Sequence, residues 1–238
     1  MRLLPPTIPG RVLAISVRIA ESPNVATRLC RTFENYQVPA TWALDDPATA
    51  ESLDNATGNE VAAYLPDAAK RSQDLVGTLR RFRQVGMPVS TLWCTTEPDS
   101  PDYDSLVRQG INLIAVGTAR ASDATPVTTL RYGLWRLATS LEIPGREGWL
   151  RGTWAAARSR RRVDLAIRRD EPLHVTMDGA AVLESAQATR VLERFLRHVD
   201  RRRQQGLLSV VTLAEIAQQL VRPRAAATAE SILRVRAA

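Results

Sequence analysis

The chain has 238 residues, 45% of them hydrophobic, with two cysteines, two histidines and a formal net charge of +7. That length and apolar content suit one α/β domain with a substantial core better than two small ones, and no repeat of fixed period is present. Cys30 and Cys94 have no CxxC spacing and no neighbouring His or Cys, so both read as buried thiols rather than metal ligands.

Lys70 is the only lysine, so the positive charge is almost all arginine, as a genome-wide codon bias would produce. RSRRR at 158–162 and RRR at 201–203 lie on helical patterns without interleaved aromatics or a recognised binding motif, so nucleic-acid binding is not expected. The opening MRLLPPTIPG has two adjacent prolines and a glycine where a secretory signal needs an unbroken apolar helix, and no later run approaches 18 apolar residues. The chain is expected to be soluble and cytoplasmic, with no membrane partner.

In chain order, RVLAISVR (11–18) is a short apolar run, SPNVATRLCRTFENY carries apolar residues at helical spacing, and PATWAL (39–44) is a second apolar run after a turn, which together make a βαβ unit. Two such strands lie parallel, and ligand sites in parallel sheets gather at the carboxyl ends, here near 18–21 and 44–46. DPATAESLDN reads as a short helix capped by Asp45 or Asp46, with Pro47 at its first position. NEVAAYL (59–65) is the third strand, and DAAKRSQDLVGTLRRFRQVG is an amphipathic helix with a glycine stop at Gly86. PVSTLWC (88–94) and INLIAVG (111–117) read as strands flanking a helix over 100–110. Residues 128–144 suit extended structure, a long basic helix starts at Trp149, and PLHVTMD (172–178) is a buried-type strand. One helix is expected over 181–205, then a strand at 207–212, a helix from Leu213, and a loosely docked tail over 222–238. Strands and helices alternate about seven times, which argues for an irregular (β/α) barrel of parallel strands spanning residues 1–221 as a single domain. An open doubly wound sheet is the alternative.

The order of these segments resembles the polysaccharide deacetylase family over roughly residues 11–217. ENYQVPATWAL resembles the family's KYGVPATFF segment, GNEVAAYL its GHEIASH, and EPLHVTMD followed by GLLSVVTLAEIA the ending found in surface-polysaccharide members. The resemblance implies a (β/α) barrel and a metal-dependent sugar N-deacetylase in which an Asp pair, an HxxxH motif and a late His hold a divalent metal and move protons. This sequence departs from that pattern. Val17, Arg18 and Ile19 stand where the resemblance places the Asp pair, Tyr64 and Ala68 stand in place of the two metal histidines, and Asp178 stands in place of the acid histidine. STLWCTTEPDS also lacks the family's Arg-Pro-Pro run.

The expectation is therefore a deacetylase-like protein without cofactor or metal site, acting as a glycan-binding or regulatory pseudoenzyme with an oligosaccharide or polysaccharide partner. Arg18 can fill the volume of the lost cation and pair with Asp178 or another carboxylate, or point to solvent. Tyr64, Asp45, Asp46, Trp42 and Trp93 complete the expected ligand cleft. His174 and Asp178, four residues apart on one strand face, are the candidate acid/base pair of an alternative hydrolase, though such a His is more often a core residue. His198, inside a basic helix, reads as a surface residue.

Overall fold

The computed structural model describes residues 11–20, 23–53, 59–65, 72–95, 102–117, 127–145 and 149–221. The expected tail at 222–238 and Ala68 fall outside them. One sheet of ten strands organises the chain. Its strands are β1 (Val12–Ile19), β2 (Thr41–Leu44), β3 (Glu60–Leu65), β4 (Thr91–Cys94), β5 (Leu113–Val116), β6 (Val127–Thr129), β7 (Trp135–Ala138), β8 (Leu141–Ile143), β9 (Leu173–Asp178) and β10 (Ser209–Val211). The hydrogen-bonded order is β6-β7-β5-β4-β3-β2-β1-β9-β8, with β10 added to β1. Every pairing is parallel except that of β6 with β7.

Alternation along the strands sorts side chains onto two faces. Leu13, Ile15, Val17 and Ile19 of β1 look outward to a layer of helices, with Trp42, Leu92, Ile114 and Val175. Ala14, Ala43, Ala62, Tyr64, Trp93, Leu113, Ala115, Trp135 and Leu137 form a second core on the concave face. The small residues there leave room for two indoles and a phenol, as a tightly curled sheet needs. An open doubly wound sheet would place helices over both faces. Here, among the described residues, the concave face meets itself and a single helix, so the curled architecture replaces that alternative.

The sheet closes through one dipeptide. β7 lies at one flank beside β5 and β8 at the other beside β9, yet only Thr139 and Ser140 separate them in sequence. Thr139 donates its N–H to the Val116 carbonyl at 2.9 Å, and Ser140 donates to the His174 carbonyl at 2.9 Å. Residues 135–143 are thus one irregular strand that leaves β5 and joins β9, making the seventh stave beside β1 to β5 and β9. The extra strands lie outside that ring: β6 borders β7, and β10 pairs with Val12–Ala14 below the point where β2 begins at Ser16.

The outer helices are α1 (Pro23–Asn35), α2 (Ser72–Gln84), α3 (Tyr103–Arg108), α4 (Trp149–Arg169), α5 (Gly179–Glu184) and α6 (Ala186–Gln204). The expected helix over 181–205 is two helices. Ser185, at φ −120° and ψ 116°, breaks the run and caps α6, its Oγ accepting the Ala188 N–H at 3.3 Å. His198 is not a surface residue. Its side chain is 15% exposed and bonds Asp164 of α4 at 3.1 Å, and burial holds its pKa below the ordinary value against the opposing pull of that carboxylate. Gln37 stands where the deacetylase pattern has glycine, and its φ of 50° is the left-handed conformation that glycine adopts without strain.

The amino-terminal end of the curl is stoppered by α7 (Leu213–Val221), whose Leu213, Ile216, Ala217 and Leu220 join the concave core. Its first turn is fully engaged. Thr212 and Glu215 form a reciprocal capping box, with N–H to side-chain distances of 2.8 and 3.3 Å. Leu213 N–H reaches Thr41 Oγ1 at 3.0 Å, and Ala214 N–H reaches Glu60 Oε2 at 2.8 Å. Among the described residues no helix is long and apolar enough to cross a membrane.

Candidate functional site

The opposite, carboxyl-terminal end of the strands gathers the charged side chains. Register sets Arg18 beside Asp178 of β9 and beside Ala43 of β2, which turns Asp45, two residues further, to the same concave face. Tyr64 lies in register with Trp93. The side chains meet as this register requires. Arg18 Nη1 donates to Asp178 Oδ2 at 3.4 Å, and Nη2 lies 3.8 Å from Asp45 Oδ2. The guanidinium carbon sits 4.4 Å from the centre of the Tyr64 ring, within cation–π range. Tyr64 in turn packs edge-on against Trp93, centroids 5.3 Å apart, and its hydroxyl shares a 2.8 Å hydrogen bond with Thr95 Oγ1. Burial raises the phenol's pKa above its ordinary value, although the Thr95 hydrogen bond and the Arg18 charge oppose this, so Tyr64 is neutral.

The backbone behind Arg18 is fixed by close packing. A Cβ at Gly179 would lie 2.9 Å from the Arg18 carbonyl oxygen and 2.6 Å from Leu29, so only glycine lets α5 start this close to the end of β1. Asp178 caps α5, its Oδ1 accepting the Ala181 N–H at 3.0 Å while Oδ2 faces Arg18. Its two oxygens are held by separate tasks.

The remaining expected site residues lie elsewhere. Trp42 is fully buried on the outer face, edge-on to Phe33 with centroids 5.5 Å apart. Asp46 caps the 3-10 helix over Pro47–Ser52 by accepting the Ala48 N–H at 3.2 Å. His174 shares the concave face with Asp178 but lies deeper, in register with Ala14, 1% exposed and hydrogen-bonded through Nε2 to Ser16 Oγ at 2.9 Å. Burial pulls its pKa down to about 3, with the Ala138 backbone opposing, so the ring is neutral. Nothing in the local sequence marks Thr95 or Ser16, but each shares the face of an expected site residue two positions along its strand: Thr95 that of Trp93 and Ser16 that of Arg18.

No family model matches the chain, and no curated protein matches it. Among solved structures it superposes on one from Mycobacterium smegmatis assigned as a polysaccharide deacetylase, with TM-score 0.66 and 16% identity over 90% of this chain and 94% of that one. A second, from Pseudomonas aeruginosa PAO1 and also assigned as a polysaccharide deacetylase, gives TM-score 0.64 and 13% identity over 90% and 92%. The chain has the polysaccharide deacetylase fold. An allantoinase shares the deacetylase fold at TM-score 0.63 and 12% identity, over 88% of this chain and 90% of that one, so the fold by itself does not name a substrate.

The divalent cation that the deacetylase resemblance implies does not fit the side chains at these strand ends. A permanent guanidinium lies within 3.8 Å of both carboxylates and would repel a second cation. Tyr64 offers a protonated phenol where the resemblance calls for an imidazole. Among the described residues no three His, Cys, Asp or Glu side chains gather in a metal-holding group. What this arrangement offers a ligand is two partly exposed carboxylates and a partly exposed guanidinium, with Tyr64 and Trp93 buried behind them.

Proposed function

We propose that this chain is a deacetylase-fold protein that has given up metal-dependent N-deacetylation and acts in the cytoplasm as a glycan-binding or regulatory partner in surface-polysaccharide metabolism. One observation supports the reading: Arg18 stands between Asp45 and Asp178 and over Tyr64, so a side chain supplies positive charge at the strand ends where the deacetylase resemblance calls for a cation. The polysaccharide class comes from the names of the structural neighbours and enters as part of the proposal. Two donors of these residues, Arg18 Nε and Trp93 Nε1, are buried without a hydrogen-bond partner, and a sugar oxygen reaches them only if the side chains around them move. An atypical hydrolase using His174 and Asp178 has less support, because the two are engaged by Ser16 on one side and by Arg18 and Ala181 on the other.

The test is metal analysis of the purified protein alongside an assay on acetylated chromogenic sugars, with acetyl-chitooligosaccharide binding followed by tryptophan fluorescence. Expected are substoichiometric zinc, no turnover, and saturable binding that Arg18→Met weakens. Stoichiometric metal, or acetate release, whether or not dialysis against chelator abolishes it, would overturn the reading.

A further inference from the structure

The charge of this molecule is not spread evenly. Helices α4 and α6 carry thirteen arginines against Asp164, Glu193 and Asp200, a net +10, so the rest of the chain carries −3 of the total +7. A codon bias explains why the basic residue is arginine rather than lysine. It does not explain why the charge is on two neighbouring helices.

Both helices return the chain between parallel strands, so they run side by side in the same direction. Asp164 of α4 bonds His198 at 3.1 Å and Arg202 at 2.8 Å, which fixes their register at an offset of about 36 positions. On α6 the exposed residues Arg190, Arg194, Arg197 and Arg201 follow the spacing of one helical stripe. On α4 the outward stripe is Trp154, Arg158, Arg161, Leu165 and Arg168. The offset sets Trp154 level with Arg190, Arg158 with Arg194 and Arg161 with Arg197. The two stripes make a cationic face about 20 Å long, its rows separated by a helix packing distance of about 10 Å. Asp164, His198 and Arg202 bridge the two helices between the rows.

Every exposed charged side chain on the two helices is arginine, and Trp154 stands 74% exposed at the end of the α4 row. Amides and hydroxyls that read base edges or sugar hydroxyls are nearly missing: among exposed described positions of these helices only Gln204 carries one. Two parallel rows of fixed charge with one amphipathic indole at their margin complement an extended anionic surface, where tryptophan settles at the headgroup level and each arginine adds attraction. We propose that the α4/α6 face docks this protein peripherally on an anionic lipid bilayer. This departs from the expectation of no membrane partner, and it is independent of what the strand-end site does.

The test is co-sedimentation of the full chain with phosphatidylcholine vesicles, with and without phosphatidylglycerol, at low and high salt. Binding is expected only with the anionic lipid, and is expected to fall with salt. Arg158→Glu/Arg161→Glu/Arg194→Glu/Arg197→Glu should weaken it by about a hundredfold or more, and the matching alanine set, with unchanged circular dichroism, should weaken it in the same direction. A blue shift of tryptophan emission on binding should vanish in Trp154→Phe. Equal binding to both vesicle types, no binding to anionic vesicles at low salt, or full binding by the reversed variants would overturn the proposal. So would retention on single-stranded DNA or polyuronate without vesicle binding.

Discussion

Arg18→Met removes the guanidinium while keeping most of the volume of its stem, so the response isolates charge. Arg18 faces Asp178 at 3.4 Å and Asp45 at 3.8 Å, with the three side chains 30%, 39% and 27% exposed. Exposed ion pairs contribute about 0–1 kcal/mol, and stripping one partner from a buried pair costs about 3–5 kcal/mol. These pairs lie between, and Asp178 is wet enough to be placed near the lower bound, so we assign about 1 kcal/mol or less to each pair. Loss of the contact with Tyr64 adds about 0.5 kcal/mol. The total is about 2 kcal/mol, which at a urea slope of about 2 to 3 kcal/mol/M lowers the unfolding midpoint by about 0.7 to 1 M. Asp178→Asn separates charge from capping, because asparagine caps helices about as well as aspartate and can still accept the Ala181 N–H. In the double-mutant cycle Arg18 and Asp178 should couple by about 0.5 to 1 kcal/mol. A coupling within about 0.3 kcal/mol of zero, or an Arg18→Met variant more stable than the parent, would refute the reasoning. The guanidinium would then not be the counter-charge of this site.

His174 and Glu60 should tilt stability with pH in opposite directions. The His174 pKa falls from 6.5 to about 3 on folding. The unfolded chain therefore binds the extra proton, and stability drops as pH falls below about 6.5, by up to about 1.4 kcal/mol per pH unit. His174→Gln should flatten that slope in acid unfolding curves; an unchanged slope would show that another group sets it. Burial raises the Glu60 pKa above 4.5, even though hydrogen bonds from Ala214 and Thr41 pull the other way. The folded state then holds the proton more tightly, and Glu60 costs stability as pH rises above 4.5. Glu60→Gln should be better tolerated at pH 7 than at pH 4 in paired melts, and a penalty independent of pH would contradict this.

Much of the site followed from counting along strands. Arg18 and Asp178 were assigned to the ends of strands that turn out to be neighbours, and their pairing needs only parallel register. The same counting shows why Trp42, Asp45 and Asp46 do not share a cleft. Adjacent residues of an extended chain face opposite sides, so once Ala43 points inward Asp45 follows it, while Trp42 and Asp46 do not. The depth of His174 was not legible, because periodicity gives the face of a residue and not its level along the barrel. That level depends on Ser16, 158 residues away in sequence. The closure through Thr139 and Ser140 was equally hidden, since a strand that changes partners midway has the same local pattern as one that does not. The break at Ser185 was available as a helix cap, but the apolar stripe running from Val182 to Val199 masked it.

The arginines divide by what holds them. Arg18 is committed to Asp45, Asp178 and Tyr64, Arg202 to Asp164, and Arg203 to Asp200 and the Gln37 carbonyl. These serve the fold or the strand-end site. The outward rows of α4 and α6 are different in kind. Like charges three or four positions apart on a helix cost about 0.2 to 0.5 kcal/mol per pair, and the arrangement recurs at 190/194, 194/197 and 197/201 on α6 and occurs at 158/161 on α4. Packing does not require it, because Val191, Leu192, Phe195, Leu196 and Val199 bury the opposite side of α6 and would do so beneath glutamine as well as beneath arginine. Core packing does not account for this self-repelling surface, whereas the proposed docking on an anionic bilayer does. The strand-end site and the basic flank therefore use one residue type for opposite purposes: charge neutralised within the fold at Arg18, and charge left available on α4 and α6.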